Sequence, residues 1–388
     1  MIRLSRVSLR EIRLPLLEPF ETSAGVVEQR RMILLELADA GGTTAWSECV
    51  AQALPDYSPD TVDTCWLALC EWIIPTVLDW SFDSPREAHA LLERRIRGHK
   101  MARAAVEMGI WAVEAAINNS SLAALLNSES ASARALKSEP RKFVETGVAL
   151  GMQRNPRELV SRIISARDEG YRRIKIKITP GRDEIYARAA LEAIGDIVKL
   201  SVDANASYSL QNREHVSMLE ELDTLGLSMI EQPLAHDDLV HHADLQRLLS
   251  TPICLDESIA GDASAEEMLA LGSARIVNLK AGRVGGFQQA LAIHDRCADA
   301  GIPVWCGGML ESGIGRAYNV ALASLPNFTL PGDLSPSARY WERDIVKKPW
   351  TMDMQGRVAV PLAKPGLGVE VDTAYVDKLT VRSQTFSV

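Results

Sequence analysis

Cysteine is sparse and scattered in this chain, long apolar runs are missing, and no stretch is basic or repetitive enough to stand out. Each absence excludes something. The six cysteines, Cys49, Cys65, Cys70, Cys254, Cys297 and Cys306, show no C-x-x-C spacing and are too few for a disulfide scaffold; buried, reduced thiols in a cytoplasmic protein are expected. No segment is long and apolar enough to span a bilayer. The first residues mix arginines with Glu11 and have no apolar h-region, so neither a signal peptide nor a transit peptide is expected. A net charge of −9 argues against nucleic acid or an anionic membrane as partner. What is left is an ordinary globular composition, 47% hydrophobic and 24% charged, over 388 residues, enough to bury a substantial core.

Within that chain, Lys177, Asp203, Glu231, Asp256 and Lys280 each end a short apolar, strand-like segment, at intervals of 26, 28, 25 and 24 residues. One βα unit per interval accounts for the spacing. In Arg173 to Ile178 the period is two, with lysines on one face and isoleucines on the other. Barrel strands explain this, because their outer face packs on helices while the rim end of the inner face can be charged. The same parity recurs in Leu200 to Asn205, Ile253 to Asp256 and Ile276 to Lys280. Helical patterns at Asn155 to Glu169, Glu184 to Ile194, Asn212 to Leu225, Ser264 to Leu271 and Phe287 to Ala300 alternate with them, which predicts a parallel α/β architecture. If the units close into a barrel, the five side chains meet at the rim where barrel enzymes keep their chemistry.

A barrel takes roughly 250 residues, which leaves room for a second domain. Ile2 to Leu14, Arg31 to Leu37 and Thr43 to Val50, with the turn Asp39 to Gly42, read as a strand meander. Helical patterns follow at Thr61 to Leu78, Pro85 to Ile96 and Met101 to Asn118. The expected division is an α+β capping domain over residues 1–130 and a barrel over 131–357, with a strand-like tail, 358–388, packing back.

Three convergent carboxylates raise one another's pKa unless a cation neutralises them. With oxygen donors only and no nearby His or Cys, Mg²⁺ is expected, with Mn²⁺ as a substitute. Any one of these acids alone reads as a rim ion pair; three on successive strands at matching parity do not. Lys175 and Lys177 lie about 6.6 Å apart at the usual strand rise, close enough for repulsion to lower one pKa toward that of a useful base. Lys280, several strands on, falls roughly across the mouth. The pair suits proton removal alpha to a carboxylate.

The segments Lys175-Ile176-Lys177, Asp203-Ala204-Asn205, Glu231-Gln232-Pro233, Asp256-Glu257-Ser258 and Asn278-Leu279-Lys280 together resemble the enolase superfamily, in its muconate-lactonizing-enzyme-like subgroup. The resemblance runs through both domains and implies a modified (β/α)7β TIM-like barrel under an N-terminal α+β capping domain. Within the subgroup the chain is similar to the o-succinylbenzoate synthase and N-acylamino acid (N-succinylamino acid) racemase family. Pro19 to Gly25, with Phe20, Thr22 and Ser23, resembles that family's capping loop. Gly307 to Gly315, with Gly307, Gly308, Met309, Glu311 and Ser312, resembles the substrate-holding segment after the seventh strand. The resemblance implies Asp203, Glu231 and Asp256 as Mg²⁺ ligands and Lys177 and Lys280 as the acid/base pair, with Lys175, Asn205 and Asn278 in support. It further implies a small-molecule carboxylate substrate and a homo-oligomer.

The implied reaction passes through an enediolate. It either dehydrates a cyclohexadiene to o-succinylbenzoate, in menaquinone biosynthesis, or racemises an N-succinylamino acid. Arg283 resembles an arginine of racemase-competent members, against a reading as a surface residue in a turn. Glu21 stands where a basic residue is common, and Ala149 where a serine is. The glycines of Gly282 to Gly286 follow the sixth barrel strand at the wrong spacing for a nucleotide fingerprint and read as turn geometry. Among sister activities, Asp333-Leu334-Ser335 lacks the Asp-x-Asp of a dipeptide epimerase, and Pro303 to Gly308 lacks the histidine of a mandelate racemase. Muconate cycloisomerisation matches the lysines and acids equally well and ranks lower because of the capping loop. From other classes, a Schiff-base lysine aldolase without metal and a non-catalytic binding protein on the same fold also stand as alternatives.

Overall fold

A computed structural model describes residues 1–21, 25–195 and 198–388. Thr22 and Ser23 of the predicted capping loop, and Ala24 beside them, lie outside the described residues. The N-terminal sheet is built from β1 (Ile2–Glu21), β2 (Val26–Asp39) and β3 (Thr44–Cys49), antiparallel in that order. The strand Thr380–Ser387 pairs with the free edge of β1, so the end of the chain covers an edge that would otherwise present open backbone groups. A nearby strand, Arg357–Ala359, pairs instead with Phe143–Glu145 at the barrel. The first predicted helix is interrupted: Val62–Ala68 and Ile74–Leu78 are separated by a wide turn over Leu69–Ile73. Pro75, which has no N–H to continue the ladder, is the physical reason.

The helix Lys100–Ile117 is buried almost all round because it lies between the N-terminal sheet and the barrel. Two carboxylates cross that boundary. Glu48, on β3, accepts from the N–H groups of Ser312 at 3.2 Å and Gly315 at 3.1 Å. Glu107, on the long helix, accepts from the N–H groups of Phe287 and Gln288, both at 2.8 Å, and from the Trp111 indole at 2.9 Å.

Seven parallel strands, each beside its sequence neighbour, form the barrel wall: Val148–Leu150, Arg173–Lys177, Lys199–Asp203, Ile230–Glu231, Ile253–Leu255, Ile276–Leu279 and Val304–Cys306. An irregular segment closes the ring. The Asp333 N–H bonds the Cys306 carbonyl, and Gly332 exchanges bonds with Glu145 and Gly147 on the far side. Period-two alternation then stacks the interior in layers. The floor holds Met229, Cys254, Ile276 and Trp305, a small apolar cluster separate from the main core. Two residues further along the same strands come Glu231, Asp256, Asn278 and Gly307. All six cysteines are buried and free. Among the described residues no helix is long and apolar enough to cross a membrane.

Arg173 fastens the irregular closure. Its guanidinium is buried, lies 4.0 Å over the Trp305 ring, donates to the Pro331 carbonyl at 3.0 Å and pairs with Asp333 at 2.8 Å. Arg173→Leu is expected to destabilise the fold by about 3 kcal/mol in urea unfolding, because it strips one partner from a buried carboxylate. A loss below about 1 kcal/mol contradicts this role.

Candidate active site

Parallel register sets Lys177 beside Asp203 and Asp203 beside Glu231. Strand polarity therefore delivers the three motifs to one rim. Lys177 Nζ lies 2.6 Å from both Asp203 Oδ2 and Asn205 Oδ1. Lys175 is deeper, 2.8 Å from Glu231, 3.2 Å from Asp203 and 3.3 Å from Asp333. On the other side Lys280 Nζ stands 2.8 Å from Asp256 Oδ2 and donates to the Tyr57 hydroxyl at 2.9 Å. Asn278 donates to Glu231 at 2.7 Å, and Asn205 to Glu257 at 3.1 Å. Lys175, Lys177, Lys280, Asp203, Asn205 and Asp256 line one cavity of about 170 Å³. Asn205, Ala206, Gln232 and Leu310 all adopt positive φ at the strand ends around it, a concentration of backbone strain at the rim.

Burial raises the cost of every charge here, and neighbours decide which survive. Against burial, Asp333, Glu231 and Asp203 hold Lys175 well above the ordinary lysine value. Repulsion between Lys175 and Lys177 is expected to lower one of the two; Lys175 is not the one lowered, because the three carboxylates outweigh both burial and the neighbouring Arg173. Lys280 is likewise raised against burial by Asp256 and Tyr57. Burial also opposes ionisation of Asp203 and Asp256, yet Lys177 and Lys175 hold the first, and Lys280 and Arg283 the second, below the usual carboxylate range. Two acids go the other way. Burial, then Asp203 and Asp256, push Glu231 up, and burial, then Asp256 and Asp203, push Glu257 up to about 8.

Arg283 is no surface residue. It is buried, 3.2 Å from Asp256, and donates to the carbonyls of Asn278 and Ile259. Gly282 to Gly286 forms a single helical turn, Ala281–Val284, ended by two glycines at positive φ. Phe20, Gly308 and Met309 reach the cavity. Gly307 is needed as glycine, since a Cβ there would sit 2.1 Å from Asn278 Oδ1 and 2.6 Å from Lys280 Cε.

Glu311 and Ser312 are not brought to the cavity. Both are buried behind it: Glu311 accepts from Asn319, and Ser312 bonds Glu48 and caps the helix Gly313–Ala323. Three residues of the site have no role assigned from the sequence, although Asp333 is quoted there against a dipeptide epimerase. Tyr57 arrives from the N-terminal domain with no motif around it, and Asp333 comes from the irregular closure. Glu257 stood inside a quoted motif but was given no role; its neighbour Asp256 offered the only signal.

The donors suit a hard divalent cation. All are oxygens, Glu231 and Glu257 are carboxylates raised by burial and by neighbouring acids, and Glu257 Oε2 is buried without a hydrogen-bond partner among the described residues. Among the described residues, no three His, Cys, Asp or Glu side chains already stand in metal-holding geometry; the lysines hold the carboxylate oxygens instead.

Comparison with known proteins matches residues 5–127 to the mandelate racemase / muconate lactonizing enzyme N-terminal domain and residues 158–375 to the enolase C-terminal domain-like family. The chain belongs to the enolase superfamily. An o-succinylbenzoate synthase from Geobacillus kaustophilus is 43% identical, covering 99% of this chain and 98% of that protein. An N-succinylamino acid racemase from Amycolatopsis is 42% identical, covering 98% of both. The crystal structure of an enolase-superfamily member from Listeria innocua superposes with a TM-score of 0.91 at 36% identity, covering all of both chains. This superfamily member is thus an enzyme of the kind those relatives represent.

Glu257 yields a stability test in metal-free buffer. With its folded pKa at about 8 above an unfolded value of about 4.3, its contribution is full below the unfolded value and lost as pH rises through the folded one. Between pH 5 and 9 the melting temperature of Glu257→Gln should therefore rise relative to the unsubstituted protein. A parallel offset across that range would count against a raised Glu257.

Proposed function

We propose that this enzyme removes and returns a proton alpha to the carboxylate of a small-molecule acid, as an o-succinylbenzoate synthase, an N-succinylamino acid racemase or both. The observation that carries the reading is the pair of amines, Lys177 and Lys280, at one cavity on opposite arms of the barrel, each beside its own aspartate. Relatives of both names, at over 40% identity along nearly the whole chain, support it.

Asp203, Glu231 and Asp256 would hold Mg²⁺, or Mn²⁺ in its place. A divalent cation there supplies positive charge against the negative charge that builds on the substrate carboxylate as the proton leaves. Lys177 is the assigned base. Lys280, kept protonated by Asp256, is in the state of a proton donor on the opposite face. In racemisation the two exchange these roles. In the synthase reaction Lys177 takes the proton, hydroxide departs, and the ring becomes aromatic. Lys175, held charged by three carboxylates, stays out of proton transfer and contributes fixed positive charge. Asn205 orients Lys177, and Asn278 orients Glu231. Phe20, Gly308 and Met309 would contact substrate. Arg283 would act through Asp256, and cytoplasmic location and homo-oligomeric assembly belong to the same proposal.

With Mg²⁺ in D₂O, an N-succinylamino acid should take up deuterium at the alpha carbon and racemise, and the cyclohexadiene precursor should yield the aromatic product. Lys177→Ala and Lys280→Ala should each lower racemisation by at least a hundredfold, consistent with general acid–base contributions, and chelation should abolish it. Racemisation that survives both substitutions refutes the assignment. Activity that survives chelation favours the Schiff-base alternative instead.

A further inference from the structure

Glu48 and Glu107 repeat one construction. Each reaches from the N-terminal domain into the first turn of a barrel helix, Gly313–Ala323 and Phe287–Asp299 respectively. Each is admitted by a glycine. At Gly286 a Cβ would lie 2.2 Å from Glu107 Oε2, and at Gly315 a Cβ would lie 3.0 Å from Glu48 Oε2. A helix N-terminus offers unpaired N–H donors and a favourable field for an anion, which is what both carboxylates take up. Both are fully enclosed, and burial raises each to about 7 even so.

The two docked helices follow the sixth and seventh barrel strands, so the segments leading into them are fixed at both ends. From Lys280 to Phe287 the chain is one compact unit. The Lys280 carbonyl accepts from Arg283 at 3.0 Å and Val284 at 3.1 Å, and the Ala281 carbonyl accepts from Gly286 at 2.9 Å, directly before the residues that Glu107 holds. From Gly307 to Ser312 the chain starts against the Lys280 stem and ends on Glu48. Both routes end on Lys280. Lys177 differs, because among the described residues its partners, Asp203 and Asn205, belong to the barrel itself.

We infer that Glu48 and Glu107 are positioning residues through which the N-terminal domain sets the geometry of Lys280, and not of Lys177. The inference rests on the proposed proton-transfer reaction, and it gives the two-domain arrangement a one-sided role in that reaction: substrate is approached by one amine fixed within the barrel and one fixed from outside it.

Two readouts test it, one of which needs no turnover. In D₂O, alpha-proton exchange is followed separately for the two enantiomers of an N-succinylamino acid, with Lys177→Ala and Lys280→Ala assigning one enantiomer to each lysine. Glu107→Ala and Glu48→Ala should lower exchange of the Lys280-side enantiomer at least tenfold more than that of the other. Glu107→Gln and Glu48→Gln, which keep an acceptor oxygen, should recover part of the loss and serve if the alanine variants do not fold. Equal losses for both enantiomers overturn the inference, since lost folded protein cannot distinguish them. By amide hydrogen exchange, Glu107→Ala should deprotect residues 280–286, with Glu107→Gln between it and the unsubstituted protein, and residues 173–177 should be unchanged in both; protection fully retained at 280–286 in the alanine variant, or in the glutamine variant if the alanine one does not fold, overturns it. If the unsubstituted protein exchanges neither enantiomer, the racemase reading fails, and the amide readout alone decides the role of the two glutamates.

Discussion

Charge inside a barrel is tolerable only when it is balanced residue by residue, and the rest of this structure follows from that balance. The outer face of each strand is committed to packing against helices, so period-two alternation forces Arg173, Lys175 and Lys177 inward together. Asp203, Glu231 and Asp256 face them from the neighbouring strands. An isolated buried ion is too costly to persist. What exists is a network in which Lys175 touches three carboxylates and Lys280 and Arg283 share one. The balance is incomplete at Glu231 and Glu257, whose raised pKa values mark where further positive charge is favoured.

The same constraint shapes the boundary between the domains. Among the described residues, Glu48 and Glu107 are buried carboxylates without a cation in hydrogen-bond contact, and they are satisfied by backbone N–H groups at helix starts. Such contacts are directional, so they fix orientation as well as proximity. Tyr57 adds a third crossing, bonding Asp256 and Lys280 from the N-terminal side. The reactive rim is therefore finished by side chains that the barrel does not contain.

Legibility in the sequence followed how local the cause was. Strand parity is local, and Lys175-Ile176-Lys177 and Asp203-Ala204-Asn205 displayed it directly. The second, third, fifth and sixth barrel strands and the helix Glu184–Ile194 were readable from such local patterns. Glu311 and Ser312 fell within a recognisable motif, yet the chain turns after Leu310 and carries both behind the cavity, which no periodicity reveals. Arg283 read equally well as a turn residue because its burial depends on the loop folding under Asp256.

By itself the sequence determined the strand faces, the even spacing of the acids and lysines, and hence a parallel α/β architecture whose five ionisable groups share one rim once it closes. Only the tertiary structure decided that Asp333 and Tyr57 join them, that Lys175 is raised and not lowered, and that two distant glutamates hold the Lys280 side. The physical reason is that alternation is a property of consecutive residues. The energy of a buried charge depends instead on every group within a few ångströms, most of them brought there from a hundred or more residues away.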